Sequence, residues 1–348
     1  MDRYDALALA RAATVPPVRR DDTGLRGPTR VQLRSARWRR TSRGLYVPSD
    51  VDALVAEQRI REAAAVLPEI GGVTGWAGLR WTGGTWFTGR TPGGFQPVDL
   101  ATCYEDIRGQ PGIRVCQERL PPGELVDVEG VRVTLPVRSL FFATRYARDL
   151  RAAVAAVDAA AYSDLVSLEE AWDYTLRHPG WTGVPQARNA LALADENTWS
   201  PAETAMRLVW VLDACLPVPL TNRPVFDLRG HHLGTPDMID PVTGLLGEYD
   251  GPHHLDGPQR SIDVRRLDAF RAHGLEPVVA MAPDLREREL LAARLRSAHE
   301  RASHRPATDR SWTLDPPAWW RATHTVDLRR ALATRGDDRL LDYRRHAS

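Results

Sequence analysis

Between positions 197 and 301 the sequence changes periodicity in a fixed order, and that order limits the fold more than any other feature of the chain. Ser200 precedes Pro201, and Glu203 stands three residues after Ser200. This is the pattern of a capped helix start with proline in its first turn. The helix should run to about Cys215, where Pro217 and Pro219 break it. Short strands are expected at 224–228, 231–234 and 245–249. A strongly patterned helix follows over 259–273 and ends at Gly274, a good C-terminal cap. A strand at 277–281 and a long charged helix at 285–301 complete the run. Helix, three strands, helix, strand, helix suits a small mixed sheet flanked by helices.

The whole chain has 348 residues, room for two or three domains of roughly 100–150 residues each. Upstream, a helix is expected over 52–67, closed by Pro68, and a helical turn at 76–79. Strands are expected at 95–100, 113–117 and 131–135, and a helix opening at Pro136. Further helices fit 150–161, 168–177 and 184–194. The tryptophans and tyrosines of this stretch suit core and edge packing. We therefore expect an α+β middle domain over 51–198 and a separate domain over 199–301. After 301 the prolines and the Trp319-Trp320 pair suggest a partly ordered extension, 302–348, pinned to a domain surface by those tryptophans. A short arginine-rich helix is expected within it at 326–334.

Charge sets off the first 50 residues, which hold eleven arginines against five aspartates although the whole chain is only +1. Seven of those arginines fall between Arg26 and Arg43 with no acid among them. The segment 37–48 should form a hairpin, with Gly44 permitting the turn and Pro48 ending the strand. Arg37, Arg39, Arg40 and Arg43 could then meet DNA phosphates as a wing, since guanidinium forks match phosphate oxygens. A solvated arginine face covering a small domain explains the same residues.

Composition also excludes chemistry. The chain contains no lysine, which removes Schiff-base catalysis and phosphate binding by a P-loop lysine. Cys103, Cys116 and Cys215 have no CxxC spacing and are expected as mostly buried thiols of a cytoplasmic protein. No signal segment or membrane-length apolar run is present, so a soluble protein with no membrane partner is expected.

The acids of the 199–301 block fall where strands should end. Asp237 follows Gly234-Thr235-Pro236, while Glu248 and Asp250 flank Tyr249. Residues i and i+2 of a strand share a face, so Glu248 and Asp250 should present their carboxylates together. With Glu203 they form an oxygen-rich set suited to Mg²⁺ or Mn²⁺. Such a metal activates water and stabilises charge on a phosphodiester, and a histidine of the His253-His254 pair could move the proton. On the next helix, Arg266 could brace an acid or clamp a phosphate, and Gln259 faces roughly the same side. Taken singly, each acid also suits a structural role: Asp237 and Asp240 as turn formers, Glu203 as a helix-capping carboxylate. A zinc site from His231, His232, His253 and His254 is the weaker alternative, because adjacent strand residues point opposite ways.

Together, Ser200-Pro201-Ala202-Glu203, Val225-Phe226-Asp227, Pro236-Asp237, Gly247-Glu248-Tyr249-Asp250-Gly251, His254, Gln259, Asp263 and Arg266 resemble very-short-patch-repair endonucleases. These are members of the PD-(D/E)xK, restriction-endonuclease-like fold, αβββαβα. The resemblance covers 199–301. It implies metal ligation by Asp237, Glu248 and Asp250, and catalytic roles for these three with Glu203 and His254. Asp250 stands where classical members carry lysine, so water activation would pass to His254 or a second metal.

Upstream, 43–48, 72–79, 136–145 with Val157-Asp158, and Ala192-Leu193-Ala194-Asp195 resemble the antitoxin of the AbiE-type, type IV toxin–antitoxin system. This implies an N-terminal winged helix on promoter DNA and a middle part linked to a cognate toxin protein. Only 29–35 precedes the wing, short for the two helices of a helix-turn-helix, so a winged-helix-like remnant is expected over 1–50. Two functions follow: a metal-dependent DNA endonuclease delivered by the basic segment, or a non-catalytic regulator carrying a retired nuclease scaffold.

Overall fold

The first fifty residues owe their shape to one glycine turn and one short sheet. In the computed structural model, which describes residues 3–104, 107–251 and 257–342, helix α1 (Arg3–Ala12) leads into β1 (Val18–Arg19). The hairpin of β2 (Trp38–Ser42) and β3 (Leu45–Pro48) turns at Gly44, whose φ is +75°. β3 is central, pairing antiparallel with both β1 and β2. Its Leu45 and Val47 are buried while Tyr46 and Pro48 are half-exposed, the alternation of a one-faced strand. Between β1 and β2 the described residues form one 3-10 turn, Gln32–Arg34, and no α-helix.

Contacts divide the chain into two units, Met1–Arg148 with Glu169–Leu191, and Asp149–Leu168 with Ala192–Ser348. In the first, α2 (Ala56–Ala64) is shorter than expected, because Asp52 accepts a hydrogen bond from the Leu54 amide at 2.8 Å and holds a turn. Then come β4 (Gly72–Thr74), α3 (Gly75–Trp81), a hairpin of β5 (Arg90–Thr91) and β6 (Gly94–Phe95), β7 (Val98–Ala101), β8 (Ile113–Cys116), β9 (Leu125–Val128), β10 (Val131–Thr134) and α4 (Pro136–Arg145). Five of these strands form a mixed sheet in the order β8-β7-β4-β10-β9. β4 was hidden because Gly71-Gly72 looks like a breaker. In the sheet, a Cβ on Gly72 would come within 2.6 Å of the Leu125 side chain, so the glycine permits close strand approach. Trp76 and Trp81 are buried, as core packing requires.

The second unit takes α5 (Leu150–Tyr162), while α6 (Leu168–Arg177) and most of α7 (Val184–Leu193) lie with the first. Helix α8 (Pro201–Leu208) continues as a π-turn over Val209–Asp213. The main sheet runs β11-β14-β15-β16, from β11 (Leu220–Thr221), β14 (Met238–Ile239), β15 (Leu245–Tyr249) and β16 (Glu276–Ala280). β14 is antiparallel and β16 parallel to β15.

Its two faces are covered by different cores. Met206, Trp210, Met238, Leu245, Leu291 and Leu295 join α8 to α10 (Arg288–Ser303) across one face. Ile239, Leu246, Phe270 and Leu275 pack α9 (Gly257–Ala272) against the other.

The expected strands at 224–228 and 231–234 form, but not in this sheet. β12 (Val225–Asp227) is central, pairing with β13 (His232–Gly234) on one side and with β17 (Trp312–Thr313) of the C-terminal segment on the other. The main sheet instead uses the two-residue strands β11 and β14. After β17, Trp320 packs edge-on against Phe226 at 5.4 Å, and α11 (Val326–Thr334) follows. Cys215 is exposed, against expectation, two residues past the π-turn in a left-handed conformation of φ +54°; Cys103 and Cys116 are half-buried. Among the described residues no helix is long and apolar enough to cross a membrane.

Candidate functional site

Glu203 is placed by the cap the sequence encodes. Ser200 Oγ accepts from the Glu203 amide at 3.2 Å, and Glu203 Oε2 reaches back to accept from the Trp199 amide at 2.9 Å. This is a capping box shifted by one residue. The same oxygen accepts from Asn222 Nδ2 at 2.8 Å. Burial, and then the nearby charge of Asp237, push the Glu203 carboxyl up to about 8, so it is largely protonated at neutral pH. The capping role is therefore real, and it sits beside a second acid.

That second acid lies just before β14. Asp237 Oδ2 accepts from the Tyr249 amide at 2.6 Å, which ties it to the end of β15. Glu248 is buried on the face of β15 turned toward α9, and Arg266 Nη2 donates to its Oε2 at 2.9 Å. The ladder runs one residue past β15, because the Asp250 amide donates to the Ala280 carbonyl at 2.8 Å. The backbone thus stays extended to Asp250, as the shared face of Glu248 and Asp250 requires. His254, like His253, lies outside the described residues, and of Gln259 and Asp263 only the helical backbone is described.

Asp240 is a turn former. Its carboxylate accepts from the Val242 amide at 2.9 Å and from the Thr243 hydroxyl at 2.6 Å. His231 is bound to Asp227 through Nδ1 at 2.8 Å, and His232 to Thr235 at 3.1 Å. Among the described residues no three acids, histidines or cysteines are gathered to hold a metal ion. By donor chemistry Asp237, Glu248 and Asp250 suit a hard divalent cation, but in this arrangement Glu248 is turned to Arg266.

The arginines separate by role. Arg39 forms a bidentate fork with Glu62 of α2, at 2.6 and 3.0 Å, and serves the fold. Arg37, Arg40 and Arg43 are exposed on the hairpin. Arg266 takes the bracing option rather than presenting a free guanidinium.

Sequence reasoning missed Asn222, which adopts φ +44° between β11 and β12 and binds Glu203. The available signal was an Asn, tolerant of left-handed backbone, beside proline-bounded strand fragments. It also missed the acceptor network of Asp158 on α5. Arg207 Nη2 donates to Asp158 Oδ2 at 2.6 Å and the Thr204 hydroxyl donates at 2.9 Å, fixing α8 to α5.

No protein-family model matches the chain, and no solved structure matches it significantly. It is similar to two proteins of Mycobacterium tuberculosis that are described only as uncharacterized, one from strain CDC 1551 / Oshkosh and one from strain ATCC 25618 / H37Rv. Each is 28% identical over 200 residues, which cover 56% of this chain and 72% of the relative.

Proposed function

We propose that the second unit is a metal-dependent DNA endonuclease of the restriction-endonuclease-like kind, brought to DNA by the basic N-terminal hairpin. One observation carries the reading. Asp237, just before β14, lies near enough to Glu203 of α8 to raise its pKa, and it accepts from the Tyr249 amide, one residue after Glu248 on β15.

Asp237, Glu248 and Asp250 would hold Mg²⁺ or Mn²⁺, which when bound lowers the pKa of water and stabilises charge on a phosphodiester. The chain's own residues do the positioning. The Tyr249 amide fixes the Asp237 carboxylate, Arg266 holds the Glu248 carboxylate in place, and neutral Glu203 anchors α8 beside Asp237.

A second reading has its own support. Arg266 neutralises Glu248, and Glu203 is largely protonated at neutral pH. Such a set also suits a retired scaffold in a DNA-binding regulator, an antitoxin with a toxin partner.

The deciding measurement is cleavage of supercoiled DNA in Mg²⁺ and in Mn²⁺, with Glu248→Gln alongside. Nicking or linearisation by the wild type, abolished in a folded variant, supports the endonuclease. No cleavage in either metal, or equal cleavage by the variant, sinks it and favours regulation.

A further inference from the structure

We infer that a cavity beside Glu203 in the second unit binds the phosphate group of a nucleotide. The cavity is open at its mouth, holds about 80 Å³ of space, and is lined by Asn222, Arg223, Thr235, Trp320 and His324. Among the described residues neither Arg223 nor His324 makes a hydrogen bond or an ion pair, although both are half-buried. Burial holds both below their ordinary pKa, and the Arg223 charge further lowers that of His324. Asp195 faces both and partly offsets this. Its Oδ1 accepts from the Asn197 amide and the Thr221 hydroxyl, and it acts on the two basic groups through charge rather than a hydrogen bond. Two partly desolvated basic groups on one cavity wall therefore lack a bonded anion, and a phosphate accepts from both.

Asn222 narrows the ligand. The residue is 5% exposed, and its Nδ2 donates to the Asn197 carbonyl and to Glu203. Those two acceptors fix the amide's orientation, leaving Oδ1 buried with no donor among the described residues. A ligand that reaches this oxygen must bring a donor to it. A fully ionised phosphate has none, whereas a nucleotide brings sugar hydroxyls or base N–H groups. Trp320, held against Phe226 and His232, supplies an apolar wall. The ligand is a nucleotide, either free or at a strand end. This goes beyond the cleavage reading, since none of the proposed metal ligands lines the cavity.

The test is calorimetric titration of the full chain in EDTA, so that no metal-dependent activity contributes. The probes are deoxyadenosine 5′-monophosphate, deoxyadenosine, and one oligonucleotide with either a 5′-phosphate or a 5′-hydroxyl. We expect the monophosphate to bind at least tenfold tighter than the nucleoside. Arg223→Gln and His324→Gln should each weaken it severalfold or more, while Arg335→Gln, at an exposed position, should not. A 5′-phosphate that tightens the oligonucleotide, with the gain lost in Arg223→Gln, assigns the cavity to strand ends. Binding of the monophosphate without that gain assigns it to free nucleotides. No preference of the monophosphate over the nucleoside, or binding unchanged in both cavity variants, overturns the inference.

Discussion

A buried carboxyl that is protonated near neutrality leaves a trace in stability as well as in chemistry. Glu203 accepts from the Trp199 amide and from Asn222, yet burial and Asp237 lift it from 4.5 to about 8. A folded pKa above the unfolded value contributes stability that is fully present below the unfolded pKa and lost as pH rises through the folded one. Wild-type stability should therefore decline between about pH 4.5 and 8 through this group. Glu203→Gln keeps a carbonyl acceptor for both N–H donors and removes the ionisation. Its urea midpoint should match or exceed the wild type at pH 8.5 and show no advantage at pH 5. A constant difference between the two proteins at both pH values would mean that Glu203 ionises freely. If the endonuclease reading holds with neutral Glu203 as an anchor, the same stable variant should keep cleavage, and its loss would assign Glu203 a chemical role beyond the cap.

At the scale of elements, α5 and α8 are joined by an ion pair that is almost wholly buried. The Asp158 and Arg207 side chains are 2% and 3% exposed. Removing one partner leaves the other charge buried and unpaired, which costs about 3–5 kcal/mol. Asp158→Ala should lower the unfolding free energy of the second unit by about that amount, measured by urea titration. A loss under about 1 kcal/mol would show that water reaches Arg207.

Val157-Asp158 was visible in the sequence as a landmark, but not what it binds, because Arg207 lies 49 positions away. The same limit explains the strands. Helices α4 to α7 and strand β15 were legible because their periodicity is local. The pairing of β12 with β17 was not, since Trp312 lies 85 residues beyond its partner Asp227. The carboxylates stand out in the sequence because three of them flank strand ends, but among the described residues no three acids gather to hold a metal ion. Asn222 and Arg223 were not, because their importance comes from a cavity that residues 314–324 complete.

Over the whole molecule, 46 arginines nearly cancel 45 acids, so any affinity for DNA must come from where charge is left exposed. Arg37, Arg40 and Arg43 meet that condition, and Arg39 does not, since Glu62 holds it. For duplex DNA the logarithm of affinity falls with the logarithm of salt by about 0.9 per phosphate neutralised. If all three exposed arginines touch phosphates, replacing them together with Gln should reduce the slope's magnitude by about 2.7. Arg39→Gln should leave the slope alone and act on stability, because it removes a fork that ties β2 to α2. Fluorescence anisotropy with a labelled duplex from 50 to 300 mM salt reads the slopes, and thermal unfolding reads the Arg39 effect. A triple variant with the wild-type slope would remove the hairpin from DNA contact. A changed slope in Arg39→Gln would mean that charge count alone, without burial, decides which arginines meet the backbone.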